Sequence, residues 1–217
     1  MLLHKEGKAT IITSFILFFV VNAAAWYFLP KVAAQIITVV TLIPLCMAIN
    51  FYRRPARSKV RMEGAIVAPC DGTVVTIEEV YEPEVLKTQV LQVSIFMSPF
   101  NVHINWFPVG GEIEYYRHHN GNKSAAYLPK SSTDNERSSV VIRTNAGQRV
   151  LVRQVAGAMA RRVVTYAKEG QVVSQSDEMG FIKLGSRVDL YLPLGTKIDV
   201  KLKDATTGSQ TILGWLK

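Results

Sequence analysis

Several common signatures of catalysis are missing from this sequence. Only two cysteines, Cys46 and Cys70, occur in 217 residues, so no disulfide framework is expected and a reducing compartment fits. There is no HExxH motif and no paired CxxC, and we predict no metal site. No glycine-rich phosphate loop opens a helix, which argues against P-loop and dinucleotide-binding folds. The GxSxG motif of serine hydrolases is also missing.

Acidic residues are scarce relative to basic ones. Lysine and arginine number 25 against 17 aspartates and glutamates, which gives a net charge of +8. Such a balance suits an acidic partner, which could be nucleic acid, anionic lipid or a phosphorylated substrate. We favour anionic membrane lipids and expect no nucleic acid, because the chain also carries two long apolar runs.

The apolar runs lie near the N-terminus. Ala9–Leu29 and Val32–Tyr52 contain no charged residue, and each approaches the ~20 residues that a helix needs to cross a bilayer. Pro30 and Lys31 separate them, which predicts a helical hairpin with a very tight turn. A cleavable signal peptide is the alternative, with small residues before Trp26 as its cleavage site, but a second run of equal length does not normally follow one.

A basic segment, Arg53–Arg61, follows the second run, and Lys5 and Lys8 precede the first. The positive-inside rule therefore predicts that both flanks lie in the cytoplasm. The basic segment would also attract anionic headgroups, at about 1 kcal/mol per basic residue. We predict a membrane-anchoring hairpin with a basic linker over residues 1–61, and a domain over 62–217 on the cytoplasmic face of the cell membrane.

The second domain has the sequence pattern of a β protein. Short segments rich in Val, Ile and Thr alternate with Gly, Pro and Asn, and Thr144–Gln148 is typical of a hairpin turn. Helical periodicity is confined to the neighbourhood of Lys123–Leu128. The fold class that follows is mainly β: a β-sandwich similar to the barrel-sandwich hybrids of lipoyl and biotinyl domains, with an N-terminal hydrophobic helical hairpin.

Several side chains could carry chemistry, each with an ordinary alternative. His103 lies in a loop segment bounded by Pro99 and Pro108, where it could act as an acid or base or serve only as a hydrogen-bonded structural histidine. Asp71 follows Pro69 in a Pro-x-Asp-Gly turn, and such an aspartate is most often a turn former. The adjacent pair His118 and His119 is interpreted as two solvated loop residues. The polar cluster Ser132–Val140, which includes Asp134, has the character of a solvated loop.

Gly185-Ser186 interrupts a strand-forming stretch and suggests an unusual chemistry. A serine hydroxyl can attack the carbonyl of the preceding residue, and glycine there allows the closest approach. Elimination of the resulting ester would cut the chain and leave a pyruvoyl group at residue 186. Such a group captures amines and accepts electrons, as pyridoxal phosphate does. A Gly-Ser pair alone is common and usually structural.

Four stretches together resemble the phosphatidylserine decarboxylase family in order and spacing. They are APCDGTV, SPFNVHINWFPVGGEI, NERSSVVIRT and LGSRVDLYLP. The resemblance runs from about Gly64 to Gly195 and is to the short branch of bacterial and archaeal type. It implies a proenzyme that cuts itself between Gly185 and Ser186 into a β chain, 1–185, and an α chain, 186–217, which stay associated.

The family's activity implies a function. A covalent pyruvoyl cofactor derived from Ser186 would form a Schiff base with phosphatidylserine, release CO₂ and yield phosphatidylethanolamine for phospholipid biosynthesis. Two alternatives stay open: a pyruvoyl decarboxylase for another amino-acid headgroup, and a non-catalytic, membrane-anchored β-rich binding module. An oligomer is compatible with all three.

The resemblance also implies residue roles. Asp71 matches the acidic position that helps to activate the serine through a histidine, and His103 matches the first histidine of the longer branch's loop. That branch has a second histidine three residues later, where this chain has Trp106. Either His103 serves both self-cleavage and proton transfer or another group takes one task, to which His118 or His119 could contribute. Arg187 would favour the substrate's phosphate or carboxylate, unless it only pairs with Asp189.

Overall fold

The computed structural model describes residues 2–121, 135–157, 162–183 and 185–217. The chain forms two compact units, residues 1–56 and 57–217. The helical stretch predicted near Lys123–Leu128 lies outside the described residues, as does Asp134 of the predicted polar loop.

The first unit is the predicted helical hairpin. Helix α1 spans Lys8–Phe28 and α2 spans Lys31–Phe51. Pro30 caps the start of α2, because its fixed backbone angle suits the entry to a helix. A single 3-10 turn, Lys5–Gly7, precedes α1. Strand β1, Leu2–Leu3, pairs antiparallel with β2, Arg53–Arg54, and joins the two ends of the hairpin.

The hairpin is apolar outside and polar between its helices. Both helices are long and apolar enough to cross a membrane, and large side chains such as Phe19 and Tyr27 are exposed. Between the helices, Asn22 Nδ2 donates to Thr41 Oγ1 at 2.9 Å, and Thr38 Oγ1 donates to Asn22 Oδ1 at 2.6 Å. Such interhelical bonds stabilise helix pairs in lipid, where apolar burial supplies no driving force. The pattern is compatible with membrane association.

The second unit consists of strands, which confirms the mainly β fold class. An antiparallel sheet of eight strands, in the order β11-β7-β8-β9-β13-β5-β4-β15, curls into a half-barrel. Two three-stranded sheets, β10-β12-β6 and β14-β16-β3, pack with it. The strands are β3 Ala65–Val67, β4 Gly72–Glu82, β5 Thr88–Met97, β6 Ile104–Trp106, β7 Gly111–His119, β8 Arg137–Arg143, β9 Arg149–Ala156, β10 Arg162–Thr165, β11 Val172–Val173, β12 Glu178–Lys183, β13 Ser186–Leu192, β14 Lys197–Ile198, β15 Ala205–Thr206 and β16 Ile212–Trp215.

Strand β13 lies in the middle of the large sheet, and all of its residues are buried. Side chains of a strand alternate between the two faces of the sheet. Val188, Leu190 and Leu192 point into the main apolar core. Tyr191, on the other face, belongs to a smaller apolar cluster. Ser186 is in phase with Val188 and therefore faces the main core.

The local turn signal of the sequence is confirmed, and one histidine interpretation is wrong. Strands β8 and β9 meet in a turn in which Gly147 N–H donates to Thr144 O at 2.9 Å, and Gly147 has φ of +81°. His118 and His119 are not loop residues but end strand β7, where they pair with Ser138 and Arg137. Strand β7 therefore extends further along the chain than the polar residues near its end predict.

Candidate active site

The Gly185–Ser186 bond lies where the chain crosses from one sheet to another. Strand β12 belongs to a three-stranded sheet, whereas β13 belongs to the eight-stranded one. Gly185 has φ of +56°, in the left-handed region that disfavours residues with a side chain. A Cβ added at Gly185 would meet nothing within 4 Å. Glycine is therefore required here by backbone conformation and not by lack of space.

Ser186 is fully buried between two neighbouring strands. It pairs with Met97 of β5 and with Ala156 of β9, and its relative exposure is 0%. Its hydroxyl donates to the thioether sulfur of Met97 at 3.3 Å. Since a thioether is only a weak acceptor, this bond orients the hydroxyl without holding it strongly.

Neutral polar side chains continue from Met97 through the core. Asn105 Nδ2 lies 3.6 Å from Met97 Sδ, and Gln154 Nε2 donates to Asn105 Oδ1 at 2.6 Å. Gln154 Oε1 accepts hydrogen bonds from Ser138 at 2.7 Å and from Thr165 at 2.7 Å. Buried polar groups that satisfy one another in this way fix a single arrangement of the surrounding strands. The chain of bonds ends at Ser186.

The carbonyl oxygen of Gly185 has a backbone donor. The Gly157 N–H donates to it at 2.9 Å, one residue beyond the Ser186–Ala156 pair that ends the β9–β13 ladder. Asn135 Nδ2 donates to the Ala156 carbonyl at 2.7 Å. The peptide unit that joins Ala156 and Gly157 is thus held at both of its polar ends.

Asp71 is held by an arginine and a backbone amide. The two Arg57 nitrogens Nη1 and Nη2 lie 2.6 Å and 2.7 Å from the two carboxylate oxygens, and Gly208 N–H donates to Oδ1 at 2.8 Å. Among the residues that the structure describes, these are the hydrogen-bond partners of this carboxylate. Such a bidentate pair is the strong geometry for arginine and carboxylate.

Trp106 packs beneath this pair. The Arg57 guanidinium carbon lies 5.1 Å from the centre of the indole ring, within range of a cation–π interaction. A Cβ on Gly208 would come within 2.3 Å of the indole, so glycine is needed there for close packing. Where the longer branch implies a second histidine, this chain has an aromatic support for Arg57.

His103 is buried in the loop that links β5 to β6. Its Nδ1 lies 3.0 Å from Asn101 O, and its own carbonyl accepts from Ile182 N–H at 3.2 Å. The imidazole centre lies 6.4 Å from that of Phe181. The loop therefore attaches to β12 through Ile182, three residues before Gly185. The roles predicted for His103 and Asp71 stay predictions.

The predicted site residues lie at the same end of the large sheet. Asp71 precedes the start of β4, the His103 loop follows the end of β5, and Ser186 starts β13. The Cys70 thiol is buried next to this end. Its burial first, and then the carboxylates of Asp71 and Asp189, raise its pKa well above the usual value. This cysteine is therefore a neutral thiol and a poor nucleophile.

Several known proteins are similar to this chain over nearly its whole length. The family model described as phosphatidylserine decarboxylase matches residues 46–214. The phosphatidylserine decarboxylase proenzyme of Parabacteroides distasonis is 50% identical over 213 residues, covering 97% of each chain. That of Porphyromonas gingivalis is 48% identical and covers 100% of this chain and 99% of its own. That of Bacteroides thetaiotaomicron is 48% identical and covers 99% and 95%.

The chain belongs to the phosphatidylserine decarboxylase family. It is accordingly an enzyme, a carboxy-lyase of a pyruvoyl-dependent family, and a purely binding β module is not supported.

In this decarboxylase, the two charged residues after the serine form a buried pair. Arg187 Nε lies 2.8 Å from Asp189 Oδ1, with side-chain exposures of 4% and 0%. Both side chains point to the face of β13 opposite Ser186. The pairing with Asp189 predicted as the alternative for Arg187 is therefore present, but it is buried.

The histidines that end β7 have partners of their own. His118 Nε2 lies 3.5 Å from Glu136 Oε1. Burial first, and then the charge of Arg137, lowers the pKa of His119 below its ordinary value. His119 is therefore a neutral imidazole at pH 7. Their contribution to catalysis stays a prediction.

A cavity of about 650 Å³ lies at the opposite end of the sheet from Ser186. Its lining includes Gly111, Thr144 and Lys217. Arg137, at the Ser186 end of the sheet, is the first residue of β8, and Thr144 follows its last residue. Seven strand residues separate the two ends by roughly 20 Å, so this cavity is not the candidate active site.

Sequence reasoning missed Arg57, Met97, Asn135 and Gly157 as site residues. Arg57 was grouped with the basic linker, and Asn135 with a polar loop, although Asn135 is fully buried. No local signal marks Met97 or Gly157, because the sheet register brings them to Ser186 from distant parts of the chain.

Proposed function

We propose that this enzyme converts phosphatidylserine to phosphatidylethanolamine after cutting itself between Gly185 and Ser186. The observation that carries the proposal is the left-handed Gly185, joined to a buried serine at the crossing between two sheets. Family membership supports the reaction, since the relatives named above are phosphatidylserine decarboxylase proenzymes.

The proposed self-cleavage uses only the chain's own atoms and water. The Ser186 hydroxyl oxygen bonds to the Gly185 carbonyl carbon, the amide C–N bond breaks, and the hydroxyl proton ends on nitrogen. Removal of the Ser186 α-hydrogen then expels Gly185 as a carboxylate. The dehydroalanine left at residue 186 takes up water and releases ammonia to give the pyruvoyl group. No oxidant or reductant is needed.

Strand pairing supports continued association of the two products. The α chain, 186–217, would begin with β13, which is hydrogen-bonded on both sides to β5 and β9 of the β chain. It would also carry β15, which pairs with β4, and β16, which pairs with β3. Cleavage at the start of β13 removes none of these ladders.

The proposal places a pyruvoyl group at residue 186. The group would supply a carbonyl able to bond to the substrate amine and to accept the electron pair left when CO₂ departs. His103 lies in the adjoining loop, and we assign it the proton transfers. Asp71 is a carboxylate fixed by Arg57 and Gly208, and we assign it the support of that end of the site during self-cleavage.

Membrane attachment fits the substrate. Each acyl CH₂ brought into water costs about 0.8 kcal/mol, so an enzyme acting on a lipid headgroup works at the bilayer surface. We propose that α1 and α2 anchor the protein in the cell membrane, with the catalytic unit on the cytoplasmic face. Of the basic segment, Lys59 and Arg61 are paired with Asp177 at 3.0 Å and 2.7 Å.

Intact-mass measurement of the purified chain tests the proposal. We expect two fragments, residues 1–185 and a 186–217 fragment with a blocked N-terminus, together with CO₂ release from phosphatidylserine vesicles. Ser186→Ala removes the nucleophile and should abolish both fragments and activity. Ser94→Ala is the matched control, because Ser94 is equally buried on the adjacent strand but faces the other side of the sheet.

The readouts separate the alternatives. An intact chain that still decarboxylates phosphatidylserine contradicts the self-cleavage proposal. A cleaved chain that ignores phosphatidylserine but decarboxylates another amino-acid headgroup contradicts the substrate. His103→Gln should leave a folded chain with much slower turnover, and unchanged turnover would remove His103 from the mechanism.

A further inference from the structure

The scissile carbonyl already accepts a hydrogen bond in the uncut chain. The donor is the Gly157 N–H, 2.9 Å from Gly185 O. This hydrogen bond continues the β9–β13 ladder by one residue, and its acceptor is the carbonyl that Ser186 would attack. From this contact, and on the basis of the proposed self-cleavage, we infer that the Ala156–Gly157 peptide unit is the oxyanion donor of that reaction, with Asn135 as its positioning residue.

The chemistry of the first step requires such a donor. As Ser186 Oγ bonds to the Gly185 carbon, the carbonyl π electrons move onto oxygen, which becomes negative until the C–N bond breaks. Fixed N–H groups aimed at a developing oxyanion stabilise it strongly, because they need no reorganisation during the reaction. Gly157 N–H is fixed by the sheet and aims at that oxygen.

The same peptide unit is polarised from its other end. Asn135 Nδ2 donates to Ala156 O at 2.7 Å, and hydrogen bonds that run through one peptide group strengthen one another. A bond to the Ala156 carbonyl makes the Gly157 N–H a better donor. Asn135 is fully buried, so water does not compete for either bond.

Strand continuation alone offers a simpler explanation, and replacement of the N–H by an ester distinguishes the two. Glycolic acid at position 157 keeps the shape of Gly157 and removes its N–H. Lactic acid at position 156 does the same for Ala156, whose N–H donates to Glu136 O at 2.9 Å and does not touch the scissile carbonyl. Both full-length chains are made by cell-free translation into nanodiscs.

The readout is the rate at which newly made precursor converts to the two fragments. We expect glycolic acid at 157 to slow conversion about 10²-fold, the usual loss for one oxyanion donor, and lactic acid at 156 to change it less than about threefold. Equal slowing by both esters, or a native rate with glycolic acid at 157, overturns the inference. If the native precursor is not cut at Gly185–Ser186, the proposed function itself has failed.

Genetically encoded variants give a second test. Asn135→Leu removes the amide at similar volume and should slow conversion about tenfold. Gln175→Met is its control, since Gln175 Nε2 likewise donates to a backbone carbonyl, Ala65 O, at 2.7 Å, but at the other end of the sheet. Thermal unfolding of each variant in a Ser186→Ala background measures stability. If precursor conversion slows in proportion to the loss of stability, and equally so in the two variants, the positioning role of Asn135 is contradicted.

Discussion

The two faces of strand β13 bury different kinds of polar group. On the face that carries Ser186, the described side chains of the hydrogen-bond chain are all neutral. They are hydroxyls, amides and the Met97 thioether. The opposite face holds charges, among them the Arg187–Asp189 pair and Arg153, which is 2% exposed. The charges of that opposite face are thus separated from Ser186 by the thickness of one sheet.

The charged face secures the long β4–β5 hairpin. Arg153 Nη2 lies 2.8 Å from Glu82 Oε1 and 3.0 Å from Glu84 Oε2, at the tip of that hairpin. Glu82 also accepts from the backbone N–H groups of Val85 and Leu86. Burial alone would raise the pKa of Glu82, but these N–H groups and Arg153 outweigh it and lower the pKa. The hairpin tip is therefore folded onto the sheet by ionic contacts.

The two faces of β13 therefore have different roles. A buried ion pair fixes strand positions but costs desolvation, and it can sit where no reaction takes place. A neutral hydrogen-bond chain orients the serine without placing a full charge beside it. Changes on the two faces should therefore affect different measurements, stability on the charged face and cleavage rate on the neutral one.

The largest effect is expected from breaking the charged face. Arg153→Leu leaves the Glu82 carboxylate buried without its cation, which typically costs about 3–5 kcal/mol. Urea denaturation of the full-length Ser186→Ala chain in detergent measures this loss. Adding Glu82→Gln to the Arg153→Leu chain should restore part of the stability, because the uncompensated charge is removed. A loss under about 1 kcal/mol would show that the pair does not secure the hairpin.

A smaller effect, on rate rather than stability, is expected on the neutral face. Met97→Leu keeps volume but removes the sulfur that accepts from Ser186. We expect the stability change to stay under about 1.5 kcal/mol, while self-cleavage slows about fivefold, the equivalent of one hydrogen bond of ~1 kcal/mol. Pulse-labelled precursor followed on denaturing gels gives the rate.

Met179→Leu controls for the loss of a core methionine. Met179 is as fully buried in the same core, and the sulfur that accepts from the Ser186 hydroxyl is that of Met97. Equal rates for Met97→Leu and Met179→Leu would mean that the sulfur contact does not orient Ser186.

The sequence predicts those features of the molecule that local patterns encode. The apolar runs predict the hairpin, the Thr144–Gln148 turn predicts a β-hairpin, and Gly185-Ser186 marks the interruption between β12 and β13. These depend on residues within one turn or strand, where conformational preference and hydrophobic periodicity act.

The support of the site could not be predicted in the same way. Gly157 reaches the Gly185 carbonyl only through the register of β9 against β13, which sequence periodicity does not specify between distant strands. The sequence marks Arg57 only as one residue of a basic linker, since its pairing with Asp71 depends on the fold of the whole unit. The prediction for His118 and His119 was wrong because polar residues at the end of a strand resemble a loop.

The smallest effect is expected where an ion pair is exposed. Asp177 bridges Lys59 and Arg61, and the three side chains are each more than 40% exposed. Burial raises the pKa of Asp177, but the two cations outweigh it and lower the pKa. A carboxylate with a lowered folded-state pKa stabilises the protein above its unfolded-state pKa, about 4, and loses this contribution as pH falls through the folded-state value.

Asp177→Asn should cost under about 1 kcal/mol at pH 7 because water screens exposed pairs. The cost should shrink in 1 M salt and vanish near pH 2, whereas the Arg153→Leu cost at pH 7 should persist in salt. Urea denaturation of the two variants with and without salt measures both costs, and an equal salt dependence would contradict the distinction between buried and exposed pairs.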